Sequence, residues 1–180
     1  LRYSLETQYD FGGNWIGTLG YQGSKARHMT RQVNLNQTLG AQGLALNPAV
    51  NNIDYYTQDS NANYNAFLAQ IQHHFVRSFE IDAQYRYAKS TDNESGPYSV
   101  SNYVWNPKSD YGPSDFDVTH AFKVWGIYTP RLFHGNDWKE KILGGWSISG
   151  IFNWHTGFPW SPTYWGGTCD VIYQGGACQN

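Results

Sequence analysis

Residues 79–88 read Phe-Glu-Ile-Asp-Ala-Gln-Tyr-Arg-Tyr-Ala and alternate between apolar and polar side chains. Successive side chains of a β-strand point to opposite faces of the sheet, so this period of two predicts a strand with two different faces. The apolar set is Phe79, Ile81, Ala83, Tyr85 and Tyr87, and the polar set is Glu80, Asp82, Gln84 and Arg86. The stretch therefore predicts a β-sheet that separates an apolar from a polar environment.

The same alternation occurs at the start of the chain. Residues 2–11 place Tyr3, Leu5, Thr7, Tyr9 and Phe11 on one face and polar side chains on the other. The sequence Gly-Gly-Asn at 12–14 supplies residues that tolerate positive φ in a tight turn. Residues 15–23 then resume the pattern, which predicts a hairpin.

Extended over the whole chain, the pattern predicts an all-β fold with about six antiparallel strands in three hairpins. The predicted strands lie at about 2–11, 15–23, 64–75, 79–89, 119–128 and 145–156. Long loops are predicted at about 24–62, 90–117 and 157–180. Hairpins joined by long loops are typical of an up-and-down barrel, and we treat residues 1–180 as one partial barrel domain.

Composition excludes several classes of protein. The 180 residues carry a net charge of −2, so a basic surface for binding nucleic acid is not expected. The mean hydropathy is −0.60 and the sequence has no apolar run near 18 residues, which excludes a membrane-spanning helix but not a membrane-spanning barrel. The chain begins Leu-Arg-Tyr-Ser without a leader and its single Met is Met29, which we interpret as a segment of a longer protein.

Strand length favours lipid on the apolar face. The predicted strands have about 10 to 12 residues, the length that crosses a bilayer at a tilt. Six strands cannot close a membrane barrel, because the smallest have about eight, so an arc of a larger transmembrane barrel is expected. The candidate lipid-facing residues are Tyr3, Leu5, Tyr9, Phe11, Phe79, Ile81, Tyr85, Tyr87, Trp146, Ile148, Phe152 and Trp154.

Three motifs carry a family resemblance. They are Tyr-Arg-Tyr-Ala-Lys-Ser at 85–90, Asp-Tyr-Gly-Pro-Ser-Asp-Phe-Asp at 110–117 with His120 after it, and Leu-Gly-Gly-Trp-Ser-Ile-Ser-Gly at 143–150 followed by Thr-Gly-Phe-Pro at 156–159. In this order they resemble the barrel of TonB-dependent outer-membrane receptors of the Oar-like kind. Residues 1–63 resemble that family only in the style of their strands.

The resemblance implies a barrel in the bacterial outer membrane that is closed by an N-terminal plug and takes up an unidentified ligand with energy passed on by TonB. Its implied partners are outer-membrane lipid, the remainder of the barrel and the plug, and TonB through the plug region. The long loops would face outward and the short turns the periplasm. No plug or TonB-contacting segment is found in these residues.

Catalytic and metal-binding motifs are not found in the sequence. There is no Gly-x-Ser-x-Gly, His-Glu-x-x-His or phosphate-binding glycine loop, so an enzyme and a cofactor are not expected. His73 and His74 are adjacent on a strand and should point to opposite faces, which disfavours a metal site. The acidic loop residues are expected to be solvated and turn-forming rather than calcium ligands: Asp92, Glu94, Asp110, Asp115 and Asp117.

Two features of the loops are candidates for function. Trp105, Trp160, Tyr164 and Trp165 could stack on a ligand or could pack on one another at the barrel rim. Cys169 and Cys178 close a small loop if they form a disulfide, and the alternative is two unpaired thiols. The aromatic content also leaves open a secreted carbohydrate-binding β-sandwich or an outer-membrane barrel with a structural or adhesive role.

Overall fold

The computed structural model describes residues 1–37, 45–76, 78–96, 104–130 and 145–160. The strands are β1 (Arg2–Gly12), β2 (Trp15–Asn34), β3 (Asp54–Val76), β4 (Phe79–Asp92), β5 (Gly112–Pro113), β6 (His120–Tyr128) and β7 (Ile148–His155). No helix within those ranges is long and apolar enough to span a membrane.

The strands form one antiparallel sheet in the order β1-β2-β3-β4-β6-β7, and the short strand β5 pairs with the end of β4. Each of the six long strands lies beside its neighbour along the chain. The prediction of an all-β, antiparallel, up-and-down sheet of three hairpins is confirmed. The described sheet is open, with β1 and β7 at its edges.

The register assigns every strand residue to a face. Leu5 lies opposite Tyr21, which lies opposite Phe67, which lies opposite Tyr87. We call this side of the sheet the apolar face, and its further members include Leu19, Ala69, Ile71, Ala83, Val124 and Phe152. The opposite side is the polar face, which includes Glu6, Gln70, Asp82, Gln84, Arg86 and Lys123.

The second and third strands are much longer than their sequence pattern indicates. The strand predicted at 15–23 continues to Asn34, and the one predicted from 64 begins at Asp54, so the connection between them is 35–53 instead of 24–62. The predicted strands end where the alternation of apolar and polar side chains ends. Pairing nevertheless continues from Ser24↔Tyr64 to Asn34↔Asp54, with irregularities between Ala26 and Arg31.

The last hairpin also differs from its prediction. β7 begins at Ile148 and not at residue 145. Gly145 itself cannot belong to the strand, because its φ of +77° is not an extended conformation. The connection between β6 and β7 covers 129–147 and is as long as the one between β2 and β3. The predicted connection of the last hairpin is 129–144, three residues shorter. The short connections predicted for the first two hairpins are confirmed, because β2 begins three residues after the end of β1 and β4 begins three residues after the end of β3.

Candidate membrane-facing surface and outer polar cluster

An aromatic row follows the short-turn end of the apolar face. Tyr9 and Phe11 contact edge to face at 5.0 Å between ring centroids. The ring of His73 is stacked on Phe79 at 4.3 Å and lies 4.6 Å from Trp15. The row therefore crosses β1 to β4 at one height of the sheet.

A second aromatic row lies at the opposite end of the apolar face, which we call the outer end. The hydroxyl groups of Tyr3 and Tyr21 both donate to Oδ1 of Asn65 at 2.8 Å. The hydroxyl of Tyr85 is hydrogen-bonded to Nδ1 of His120 at 2.7 Å, and Tyr87 lies beside the same imidazole. Phe11 lies eight positions after Tyr3 along β1, a distance of about 27 Å in a strand.

The apolar side chains between these rows are uncovered. Leu5 is 77% exposed, Leu19 is 51% exposed and Ile71 is 43% exposed. Buried apolar side chains, by contrast, are few and small among the described residues: Val33, Ala66, Ala88 and Val104. Two aromatic rows with an uncovered aliphatic band between them form the pattern of a lipid-facing barrel wall.

All but one of the candidate lipid-facing residues lie on strands of the apolar face. The exception is Trp146, which precedes β7 and is therefore not placed by register. Phe11 lies at the bulge where β1 turns into β2, and its ring covers Gly17, on the apolar side. The ring of Tyr3 covers Gly23 in the same way.

The polar face carries its own hydrogen-bond network. The side-chain amides of Gln70 and Gln72 donate to the carboxylate of Asp82 at 2.9 and 2.8 Å. Asp82 is buried although it lies on a sheet face that no second sheet covers among the described residues. Two side chains of the neighbouring strand β3 therefore satisfy this carboxylate: Gln72, directly opposite Asp82, and Gln70, one same-face position along the strand.

The connection after β4 folds back over the outer end of the polar face. We call residues 93–96 and 104–117 the outer segment. The hydroxyl of Ser114 lies 2.9 Å from that of Ser90, and Asp117 accepts a hydrogen bond from the Ser90 backbone N–H at 2.7 Å. Oδ1 of Asn93 accepts from the hydroxyl of Ser60 at 3.0 Å. Ser60 and Ser90 are consequently buried.

A buried arginine lies at the centre of this outer region. The Arg31 side chain is 1% exposed, and its guanidinium makes a two-bond contact with Asp59, at 2.6 Å from Nε and 2.9 Å from an NH2 group. The guanidinium also lies 3.5 Å from the Val104 carbonyl oxygen and 4.0 Å from Asp110, both in the outer segment. We call Arg31, Asp59, Glu94 and Asp110 the outer polar cluster.

The cluster changes the acidity of its carboxyl groups. The hydrogen bond from Arg31 lowers the pKa of Asp59 below its ordinary value. Burial raises the pKa of Glu94, because desolvation opposes its charged form. Sequence reasoning missed Arg31, since a polar residue outside the alternating stretches carries no periodic signal.

The residues that the sequence predicts to lie in loops differ in their exposure and in their contacts. The expectation that the acidic residues are solvated is wrong for Asp92, Asp110 and Asp117, because the outer segment buries their side chains and supplies hydrogen bonds or an ion pair. Trp105 is 54% exposed and Trp160 is 83% exposed. Tyr164, Trp165, Cys169 and Cys178 lie outside the described residues.

No group of three or more His, Cys, Asp or Glu residues in the described part of the chain could hold a metal ion.

Comparison with known proteins gives the class of the molecule. A family model described as an outer membrane beta barrel domain matches residues 1–176. The chain belongs to this family, and its location is the bacterial outer membrane. No curated protein and no solved structure matches the chain. The alternative of a secreted β-sandwich is wrong, because the described strands form a single sheet of an outer-membrane barrel domain.

Proposed function

We propose that the chain forms part of the wall of an outer-membrane TonB-dependent receptor that takes up an unidentified ligand, and that it has no enzymatic activity. The observation that carries this proposal is the outer segment, which reaches across one end of the sheet from β4 to Ser60 of β3 and Arg31 of β2. In a wide barrel this position lies over the lumen, where a segment restricts the entrance. The Oar-like motifs at 85–90, 110–117 and 143–150 support the receptor class.

The proposal places the apolar face in lipid and the polar face in the lumen. An uncovered aliphatic band is stable against hydrocarbon but costly against water. The polar face instead carries glutamines, carboxylates, an arginine and a lysine, which suit an aqueous lumen. The long connections after β2 and β4 then lie outside the cell, and the short turns at 13–14 and 77–78 lie in the periplasm.

The proposed barrel is larger than the described sheet. β1 and β7 each have one edge without a partner strand among the described residues, and an exposed edge of this length would not persist in lipid because its backbone groups cannot reach water. Further strands and a plug would complete the barrel. The plug would carry the contact with TonB.

The loop aromatics are the proposed ligand contacts. Trp105 and Trp160 expose flat apolar rings beyond the membrane band, and Tyr164 and Trp165 follow Trp160 in the sequence. Such rings stack on sugars or on aromatic ligands. We further propose that Cys169 and Cys178 form a disulfide, which would close a small external loop.

Cross-linking to TonB tests the proposed function without knowledge of the ligand. The native protein, extracted from the outer membrane, should be heat-modifiable on electrophoresis and larger than this chain alone. Chemical cross-linking in cells should trap it with TonB. Failure to detect any cross-link, while another receptor in the same cells is captured, would reject the receptor class and leave the barrel fold intact.

A surface-adhesive role is a second candidate. It is favoured by exposed aromatic side chains on the outer part of β3, where Tyr55 is 53% exposed and Tyr56 is 65% exposed. Adhesion would need these rings but not TonB. Loss of surface attachment in a Tyr55→Ser, Tyr56→Ser variant, with an unchanged phenotype after deletion of TonB, would favour this role over uptake.

A further inference from the structure

The apolar face carries two lysines at the height of its outer end, with Lys25 two residues further out than Lys89. Lys25 lies opposite Asn63, and Lys89 lies opposite Asn65, so both lysines belong to the same face as Tyr21, Phe67 and Tyr87. Between this height and the short turns, the described strand residues of the apolar face include no other Lys or Arg and no Asp or Glu. The positive charges are thus restricted to the outer end.

The two lysines flank one strand. Lys25 is on β2 and Lys89 on β4, with Asn63 and Asn65 of β3 between them. Two strand spacings and an offset of two residues place their Cα atoms roughly 12 Å apart. Long flexible side chains at this separation can converge on one anionic group held over β3.

Both ammonium groups are available for such a group. Lys25 and Lys89 are exposed, and neither takes part in a salt bridge within the described residues. In the neighbouring outer polar cluster, the carboxylates of Asp59 and Asp110 already lie within 4.0 Å of the Arg31 guanidinium. The positive charge on the apolar face is therefore not neutralised by the described part of the chain.

The position of the two lysines along the strands indicates the kind of ligand that they meet. Tyrosine side chains mark the boundary between hydrocarbon and head groups, and Lys89 lies two residues beyond Tyr87, as Lys25 lies two residues beyond Gly23, which the Tyr3 ring covers. A side chain one step above this boundary reaches the level of lipid phosphates. At the short-turn end, the described residues of the same face offer Trp15, His73 and Phe79 instead.

We propose that Lys25 and Lys89, with the amide side chains of Asn63 and Asn65 between them, bind the phosphate of an anionic lipid head group in the outer leaflet. The ammonium groups contribute charge, and the amides can donate to phosphate or head-group oxygens. This inference rests on the proposed placement of the apolar face in lipid. It does not depend on TonB or on uptake.

Lipid titration tests the site. The native protein in neutral detergent is titrated with phosphatidic acid and, separately, with phosphatidylcholine, and bound lipid is counted by native mass spectrometry. We expect tighter binding of phosphatidic acid, and about thirtyfold weaker binding of it after Lys25→Gln and Lys89→Gln together, which corresponds to about 2 kcal/mol for two charges at an anionic surface.

Lys108→Gln is the matched control, because Lys108 is an exposed lysine of the outer segment and does not lie on the apolar face. An unchanged affinity in the double variant, or an equal loss in the control, would overturn the proposal. Inorganic phosphate is a further arm. If it displaces phosphatidic acid at equal concentration, the site recognises free phosphate and not a lipid head group.

A separate measurement distinguishes failure of the site from failure of the underlying orientation. A lipid with a photoactivatable group in the middle of its acyl chain should label Leu19 and Ile71 in the unmodified protein and in the double variant. Labelling of both residues without any effect of the lysines would reject the site alone. Absence of this labelling would reject the placement of the apolar face in lipid.

Discussion

The part of the sheet between the aromatic rows and its outer extension are made from the same strands but are stabilised differently. Between the rows, apolar and polar side chains alternate and the apolar ones are exposed. In the extension, where β2 continues to Asn34 and β3 starts at Asp54, the buried side chains are mainly polar, including Arg31 and Ser60. The alternation of apolar and polar side chains is thus expected where the two faces of the sheet meet different solvents. It is lost in the outer extension, where both faces meet water or protein.

The first way to test this contrast is to place a charge in the middle of the apolar face. Leu19→Arg should destabilise the inserted barrel by about 2 to 4 kcal/mol, the usual cost of arginine at the bilayer midplane. Gln8→Arg, on the polar face between Glu6 and Asp10, and Tyr56→Arg, on the outer extension, should each change stability by less than about 0.5 kcal/mol. Urea unfolding in lipid vesicles measures all three, and equal costs would contradict the two-solvent interpretation.

Removing the buried arginine should affect the other region. Arg31→Met removes the cation that bonds Asp59 and lies 4.0 Å from Asp110, and we expect about 2 to 3 kcal/mol less stability for the docked outer segment, less than for a fully buried pair because Asp59 is 39% exposed. Hydrogen exchange of the backbone from residue 104 to 117 should accelerate while the strands between the aromatic rows stay protected. Lys108→Met, an exposed change in the same segment, should leave exchange unaltered.

Replacing a glycine that lies beneath an aromatic ring should have a smaller effect on stability. A Cβ added at Gly17 would come within 2.6 Å of the Phe11 ring, which must then move, at an expected cost of about 1 to 2 kcal/mol for Gly17→Ala. Gly150→Ala is the control, since nothing lies within 4 Å of a Cβ there. Thermal unfolding in detergent compares the two, and an equal shift would mean that the Phe11 ring is not seated on the glycine.

The smallest expected effect is a pH dependence confined to the outer segment. Because the pKa of Glu94 is raised above its ordinary value of 4.5, docking strengthens as the pH falls from neutrality towards that value. The pKa of Asp59 is lowered, so its stabilising contribution is present above its ordinary value of 3.8 and is lost only as the pH falls below that value through its lower native pKa.

Hydrogen exchange of residues 104–117, corrected for the intrinsic effect of pH, should show this gain in mildly acidic buffer. Glu94→Gln should remove the gain, because an amide does not titrate. A gain of the same size in the Gln variant would assign the pH dependence to another group.

The sequence predicts the sheet well where its two faces meet different solvents. The pairing of residues 2–11 with 15–23 and the face shared by Phe79, Ile81, Tyr85 and Tyr87 follow from side-chain alternation. The outer halves of β2 and β3 were missed, because their residues have no apolar period and their pairing depends on partners distant in the chain. The start of β7 was predicted too early, at Gly145, whose left-handed conformation the alternation does not reveal.

The candidate site was predicted less completely than the sheet. Hydrophobic alternation identifies side chains such as Leu5 and Phe152, but it does not identify Arg31, whose burial depends on the outer segment. Lys25 and Lys89 were also missed, since they lie on different strands and become neighbours only through the register of β3. Long-range pairing therefore creates both clusters, and no local motif encodes them.

The strictly sequential order of the long strands has a consequence for how such a chain can change. Each inner long strand of the described sheet is bonded to the long strands before and after it in the chain, so each hairpin consists of strands adjacent in both sequence and space. Duplication or loss of one hairpin would preserve the pairing within every other hairpin, would require one new interface between strands, and would change the circumference of the wall. The circumference of the barrel can thus evolve in steps of two strands, with one new strand interface at each step.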